Sequence, residues 1–164
     1  MTTTTTTQQD LLTTTGLNGW EQTIGQATAS FEKYSDEDLL QPVAPGKNRV
    51  IYLLGHLTAV HDRMIPLLGL GERLYPQLDE PFLTNPDDVA FLPDAAQLRE
   101  CWARVNRRLS EHFRNWTTED WLSRHEAVSP EDFAKEPHRN KFSVVLSRTR
   151  HLSYHLGQLA LFKK

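Results

Sequence analysis

Cysteine is nearly absent from this sequence, which contains one among its 164 residues. A lone Cys101 excludes an internal disulfide and a cysteine cluster for zinc, and we expect it to be a small, partly buried residue. A strong charge of either sign is also missing, because the formal net charge is −3. Proteins that bind nucleic acid usually carry a basic patch or stripe, so we expect no nucleic-acid partner.

Long apolar runs are absent as well. No run approaches the ~20 residues that a membrane-spanning helix needs. The opening MTTTTTTQQD lacks the basic start and the apolar stretch of a secretory signal. We therefore expect no membrane partner and a soluble, cytoplasmic protein. The threonine run predicts a disordered tail over residues 1–9, and the length then predicts a single domain over residues 10–164.

Four segments show the apolar spacing of helices. The first runs from about Asp10 to Lys33, the second from about Asn48 to Leu68, the third follows Asp94 as its N-cap, and the fourth covers about 141–162. Pro66 either ends the second helix or kinks its last turn. Because no alternating β-branched segments predict a sheet, the sequence predicts an all-α protein, an antiparallel four-helix bundle with two long connections.

Shorter signals lie between these helices. Ser35 followed by Asp38 resembles a capping box, and TTEDWL predicts another short helical turn. Residues 69–92 are rich in glycine and proline and predict a long irregular connection. A connection of that length in a compact domain is more often functional or mobile than accidental.

The last helix carries the most informative spacing, in HLSYHLGQLALFKK. His151 and His155 are four residues apart, so they point the same way and can share a metal ion. A third ligand is available from the second helix, which contains His56 and His61. These two point about 140° apart on a helix, so only one of them can serve. Periodicity does not choose between them, although His61 lies slightly nearer the centre of the apolar arc.

Other residues of the last helix have competing interpretations. Gln158 either supports a histidine or faces solvent. Gly157 lowers helix propensity, for which close approach of a helix or ligand is a reasonable explanation. Arg148 falls inside the apolar arc, so it either extends to the surface or meets an acidic partner or an anionic substrate. The remaining histidines have no partner at ligand spacing and are expected to be structural or exposed: His112, His125 and His138.

The segments GHLTAVHDRM and HLSYHLGQLAL resemble the DinB/YfiT-like superfamily of metal-binding four-helix bundles. The resemblance covers nearly the whole chain from about residue 10, and the HxxxHxGQ pattern is its most specific part. It implies a divalent metal, commonly zinc or nickel, held by His56, His151 and His155. The context LLGHL is what favours His56 over His61 in this comparison.

Three neutral imidazoles leave the charge of a divalent ion uncompensated and one coordination position open, as in catalytic metal sites. Members of the superfamily include transferases and isomerases that use low-molecular-weight thiols such as bacillithiol, mycothiol or glutathione. The resemblance therefore implies a metal-dependent enzyme with a small-molecule substrate, such as a thiol-dependent S-transferase. No catalytic acid or base can be named from the sequence.

Three alternatives stay open. The same ligand set suits a hydrolase that uses metal-bound water. It also suits a protein that binds a metal and a small ligand without turnover. In a third interpretation the histidines are merely structural and the bundle serves dimerisation. Homodimers are common in the resembling family, although no exposed apolar stripe in this sequence demands one.

Overall fold

The computed structural model describes residues 6–162 of the chain. These residues form eight α-helices, a 3₁₀ turn and a π-helical turn, and they contain no strand beyond two isolated bridges. The all-α prediction is therefore confirmed. The helices are α1 (Gln8–Lys33), α2 (Asp36–Leu39), α3 (Val50–Asp62), α4 (Met64–Leu67), α5 (Ala95–Asn115), α6 (Thr118–Leu122), α7 (Pro130–Lys135) and α8 (Lys141–Leu159).

Side-chain caps set several of the helix starts. Ser35 and Asp38 form the predicted capping box of α2, and the Asp94 carboxylate accepts the Gln97 N–H at the start of α5. A further capping box, made by Thr7 and Asp10, begins α1 at Gln8. The end of the tail predicted over residues 1–9 is thus helical, while residues 1–5 lie outside the described residues.

The second predicted helix is divided. α3 ends at Asp62, and α4 starts at Met64 after a break at Arg63. Pro66 explains the position, because proline lacks the N–H that would bond to the carbonyl of Asp62, four residues earlier, and its ring clashes with that carbonyl. The prediction that Pro66 would end or kink this helix is confirmed, with the break one turn before the proline.

Four long helices enclose the core. α1 packs on α8 and α5, and α3 packs on α5 and α8. Their buried apolar side chains form two clusters, one around Leu54, Leu57 and Leu152, and the other around Trp20, Leu109 and Phe113. The directions of the four helices, predicted to alternate, stay a prediction. Among the described helices, none has both the length and the apolar character needed to cross a membrane.

The connection over residues 69–92 is ordered against α3. It contains a 3₁₀ turn (Pro76–Leu78) and a π-helical turn (Glu80–Thr84), and both contact α3. The Asp62 carboxylate, fully buried at the end of α3, accepts the backbone N–H groups of Leu74 and Tyr75 and pairs with Arg73 at 3.0 Å. These bonds hold the first half of the connection beside the helix that carries His56.

Candidate metal centre

Three histidines from two helices converge on one point. His56 comes from α3, and His151 and His155 come from successive turns of α8. The Nε2 atom of His151 lies 3.1 Å from Nε2 of His155 and 3.4 Å from Nε2 of His56. The ligand atoms of all three lie within 4.8 Å of one another. We call these residues the three-histidine cluster.

Two of the rings are oriented by hydrogen bonds at their far side. The Nδ1 atom of His56 lies 3.0 Å from the carbonyl oxygen of Phe82, and Nδ1 of His155 lies 2.7 Å from Oε1 of Gln158. Both partners are oxygens that only accept, so each Nδ1 must carry the proton and donate it. The Nε2 atoms of His56 and His155 therefore face the centre with their lone pairs.

Burial favours the neutral form of the two histidines on α8. It lowers the pKa of His151 to about 4, with further lowering from His155, His56 and Arg148. Burial also lowers the pKa of His155, against the effect of its hydrogen bond to Gln158. Neutral imidazole is the form that binds metals. These two side chains are in that form throughout the physiological pH range.

The geometry fits a metal ion. Nitrogen ligands about 2.0–2.1 Å from zinc in a tetrahedral site lie about 3.3 Å from one another, close to the observed separations of 3.1 and 3.4 Å. Lone pairs that face each other at such distances repel unless a proton or a cation lies between them. The cluster includes no carboxylate within the described part of the chain, so its ligands would leave the ion's double charge uncompensated.

His61 lies elsewhere in the core. Its ring packs against Trp20 and Trp102, with ring centroids 5.1 and 5.3 Å away, and its Nδ1 lies 2.7 Å from Oδ1 of Asn106. The side chain is fully buried. The periodicity of the second helix did not decide whether His56 or His61 is the third ligand. The fold brings only His56 to the pair on α8.

Sequence reasoning missed the support that the connection gives. The Phe82 carbonyl orients His56, yet a backbone acceptor leaves no residue-type signal in a sequence. Tyr52, one turn before His56, stacks on its ring with the planes 14° apart and donates its hydroxyl hydrogen to the Asn85 carbonyl. The sequence signal for this contact was the four-residue spacing, which places Tyr52 and His56 on the same side of a helix.

Two interpretations in the HxxxHxGQ motif are now decided. Gln158 supports a histidine, because it accepts the Nδ1–H of His155 and donates its amide to the Tyr154 hydroxyl at 3.3 Å. The close approach of a helix suggested for Gly157 is wrong, since Gly157 is exposed and a Cβ built there would have no protein atom within 4 Å. Gly55 instead makes such an approach, because its Cβ would lie 2.4 Å from the Phe82 ring.

An open cleft of about 740 Å³ lies beside the cluster. Tyr52 and Phe82, which both contact His56, line it together with Phe91 and the carboxylates of Glu80 and Asp88. Cys101 is not among its lining residues, and burial raises the pKa of that thiol. The side chain is therefore protonated at neutral pH and a poor nucleophile.

Most of the sequence matches a known protein family. A family model described as the DinB superfamily matches residues 20–159, a range that includes the three-histidine cluster and His61. No curated protein matches the chain closely enough to count as a relative.

Proposed function

The chain belongs to the DinB superfamily, and on that premise we propose that it is a metal-dependent enzyme in which His56, His151 and His155 hold one divalent ion. The convergence of three Nε2 atoms carries the proposal. It is supported by the two Nδ1 donors, which fix their rings in the tautomer that ligation needs. Imidazole ligands suit zinc and nickel, and we propose one of these as the ion.

The proposed reaction is the transfer of a low-molecular-weight thiol onto an electrophilic substrate. The sulfur forms the new bond to an electrophilic carbon, the substrate's leaving group departs with the electron pair of the broken bond, and the thiol proton leaves to solvent. The ion, when bound, supplies Lewis acidity that lowers the pKa of the thiol. Three uncharged ligands support this role because they leave the positive charge of the ion undiminished. Since Cys101 is buried, the proposal takes the thiol from a separate molecule.

The cleft beside His56 supports a small-molecule substrate. Aromatic rings of Tyr52, Phe82 and Phe91 offer an apolar wall, as is usual in ligand pockets. A hydrolase that activates water at the same ion is the second enzymatic possibility. A third possibility, a binding protein without turnover, is supported by the cluster itself, which within the described residues includes no carboxylate that could act as a general base. A cytoplasmic location and a homodimer stay predictions.

Metal content tests the proposal directly. We expect untagged wild-type protein to contain about one equivalent of zinc or nickel by mass spectrometry, and His155→Ala to contain almost none. His138→Ala, at an exposed histidine outside the cluster, is the matched control and should retain the metal. Wild-type protein that stays free of metal after incubation with both ions would refute the metal site.

Activity assays then separate the functions. Metal-loaded wild type is offered thiols with electrophiles, and a panel of esters and amides. Thiol transfer that disappears in His155→Ala supports the S-transferase, and hydrolysis with the same dependence supports the hydrolase. Full metal loading without either reaction favours the binding protein.

A further inference from the structure

Three buried polar atoms of α3 and α8 have no hydrogen-bond partner among the described residues. They are Nε2 of His61, Nε of Arg148 and Nδ1 of His151. Buried polar groups in native proteins are nearly always paired, with protein or with ordered water. An unpaired group of this kind destabilises the folded protein, so three of them on two helices that pack together require an explanation.

His61 supplies an acceptor. Asn106 donates its Nδ2–H to the Trp102 carbonyl at 2.9 Å, which leaves its Oδ1 to accept a hydrogen from His61 Nδ1 at 2.7 Å. His61 therefore carries its proton on Nδ1, and its Nε2 is an unprotonated acceptor. Burial keeps the ring neutral by lowering its pKa to about 3.

The other two atoms are donors. Arg148 Nε always carries a hydrogen. His151 Nε2 faces His56 and His155, so in the metal-binding form proposed above its hydrogen must be on Nδ1. This step rests on the proposed function. Arg148 and His151 are three residues apart on α8 and therefore lie on the same side of that helix.

The surroundings of His61 direct its acceptor toward α8. Its ring neighbours and its hydrogen-bond partner belong to α1 and α5, through Trp20, Trp102 and Asn106. The two nitrogens of an imidazole point in roughly opposite directions, so Nε2 points away from Asn106. α8 is the remaining long helix and packs on α3. A positive charge on His151 or Arg148 would also lower the pKa of His61.

We propose that His61, Arg148 and His151 hold one buried water molecule between α3 and α8. The water oxygen accepts hydrogens from Arg148 Nε and His151 Nδ1, and the water donates one hydrogen to His61 Nε2. Three hydrogen bonds are typical of a buried structural water. All three unpartnered atoms are then satisfied, two donors and one acceptor.

The water makes His61 a positioning residue for the candidate metal centre. Through it, the Asn106–His61 pair gives the Nδ1–H of metal-bound His151 an acceptor and so orients its Nε2 lone pair toward the ion. His56 and His155 receive the same support from Phe82 and Gln158. Every histidine of the cluster would then have an acceptor behind it, an arrangement that is nearly universal for metal-binding histidines.

The first test uses metal-free wild-type protein. A high-resolution crystal structure should show a water within hydrogen-bonding distance of His61 Nε2, Arg148 Nε and His151 Nδ1. A structure without this water overturns the proposal. The crystal structure needs no bound metal, so it remains decisive even if the chain proves not to bind zinc.

The second test compares two variants of His61. The amide of Gln reaches the position of Nε2, whereas the amide of Asn reaches only that of Nδ1. If His61→Asn weakens zinc binding by about 10- to 100-fold while His61→Gln retains the wild-type affinity, the proposal is supported. Equal zinc affinity in folded His61→Asn contradicts it. Should His61→Asn not fold, the crystal structure of the wild type decides.

Discussion

A single glutamine shows how a side chain outside the cluster controls a candidate ligand. Gln158 is half-buried, and its Oε1 holds the Nδ1–H of His155 at 2.7 Å. Without that acceptor the His155 ring is free to rotate or to place its hydrogen on Nε2, where it would block the metal. Supports of this kind typically contribute about 10- to 100-fold to metal affinity.

We therefore predict that Gln158→Leu raises the zinc dissociation constant by about 10-fold or more, with little change in the free energy of unfolding of the metal-free protein. Gln158→Glu keeps an acceptor oxygen and is the matched control, which should bind zinc at least as well as wild type. Competition with a chromophoric chelator measures both constants. Equal affinity for the leucine and glutamate variants would show that His155 needs no support from this position.

The HxxxHxGQ motif also shows what a sequence conveys about single residues. The four-residue spacing of His151 and His155 predicted a shared direction, and the structure places their Nε2 atoms 3.1 Å apart. Helical periodicity could not choose between His56 and His61, because the choice depends on which side of α3 meets α8 and which meets α1 and α5. Only the resemblance pointed to His56, and the fold agrees in bringing His56 to the pair.

The packing of the π-helical turn on α3 links the connection to the cluster. Gly55 allows this contact, because a Cβ there would lie 2.4–2.6 Å from three atoms of the Phe82 ring. Phe82 is buried, and its carbonyl orients His56. A methyl group at Gly55 must push the ring away and displace the carbonyl with it.

We expect Gly55→Ala to lower the free energy of unfolding by about 1–3 kcal/mol, the usual cost of overpacking, and to weaken zinc binding. Gly157→Ala is the control, because its added methyl group meets nothing within 4 Å. It should stabilise α8 by up to about 1 kcal/mol and leave zinc affinity unchanged. Chemical denaturation and chelator competition measure the two effects. If both variants behave alike, the contact with Phe82 does not support His56.

The second half of the connection is tied down by a buried ion pair. Arg49, which precedes α3, binds Asp87 at 2.7 Å, and the two side chains are 6% and 8% exposed. Arg49 also donates to the carbonyls of Asp88 and Phe91, at 2.7 and 3.1 Å. Removal of one charge leaves the other buried and unpaired, which typically costs about 3–5 kcal/mol.

Asp87→Ala should therefore destabilise the protein by about 3 kcal/mol or more and expose the connection to proteolysis. Asp88→Ala is the neighbouring control, because the Asp88 carboxylate is exposed and accepts the Ala90 N–H. Replacement of both partners, Arg49→Met with Asp87→Leu, should cost much less than the single change. Urea denaturation measures all three. A loss in Asp87→Ala no greater than in Asp88→Ala would count against the buried pair as the anchor.

Helix positions were the more predictable part of the fold. Local effects could be predicted from the residue types. They include the caps at Ser35 and Asp94 and the break caused by Pro66. The path of residues 69–92 was not predictable, because it depends on partners distant in sequence, such as Asp62 with the N–H groups of Leu74 and Tyr75. The role of the Phe82 carbonyl at His56 was not predictable for the same reason, because the two residues are far apart in the sequence.

The stability of the whole chain depends on pH in part through His61, which is fully buried. Burial lowers the pKa of His61 to about 3 in the folded protein, whereas an unfolded histidine titrates near about 6.5. Between these values the unfolded chain binds a proton at His61 that the folded chain does not. Stability is therefore unaffected by this group above about pH 6.5 and falls as the pH drops below it, by about 1.4 kcal/mol per pH unit.

We predict that the free energy of unfolding of metal-free His61→Gln falls less steeply than that of wild type between about pH 6 and pH 4, by about 1.4 kcal/mol per pH unit. Glutamine does not titrate, so the variant lacks this one proton. His138→Gln, at an exposed site, should keep the wild-type slope. Urea titrations at a series of pH values give the slopes. Equal slopes for wild type and His61→Gln would mean that His61 takes up its proton in the folded protein as readily as in the unfolded chain.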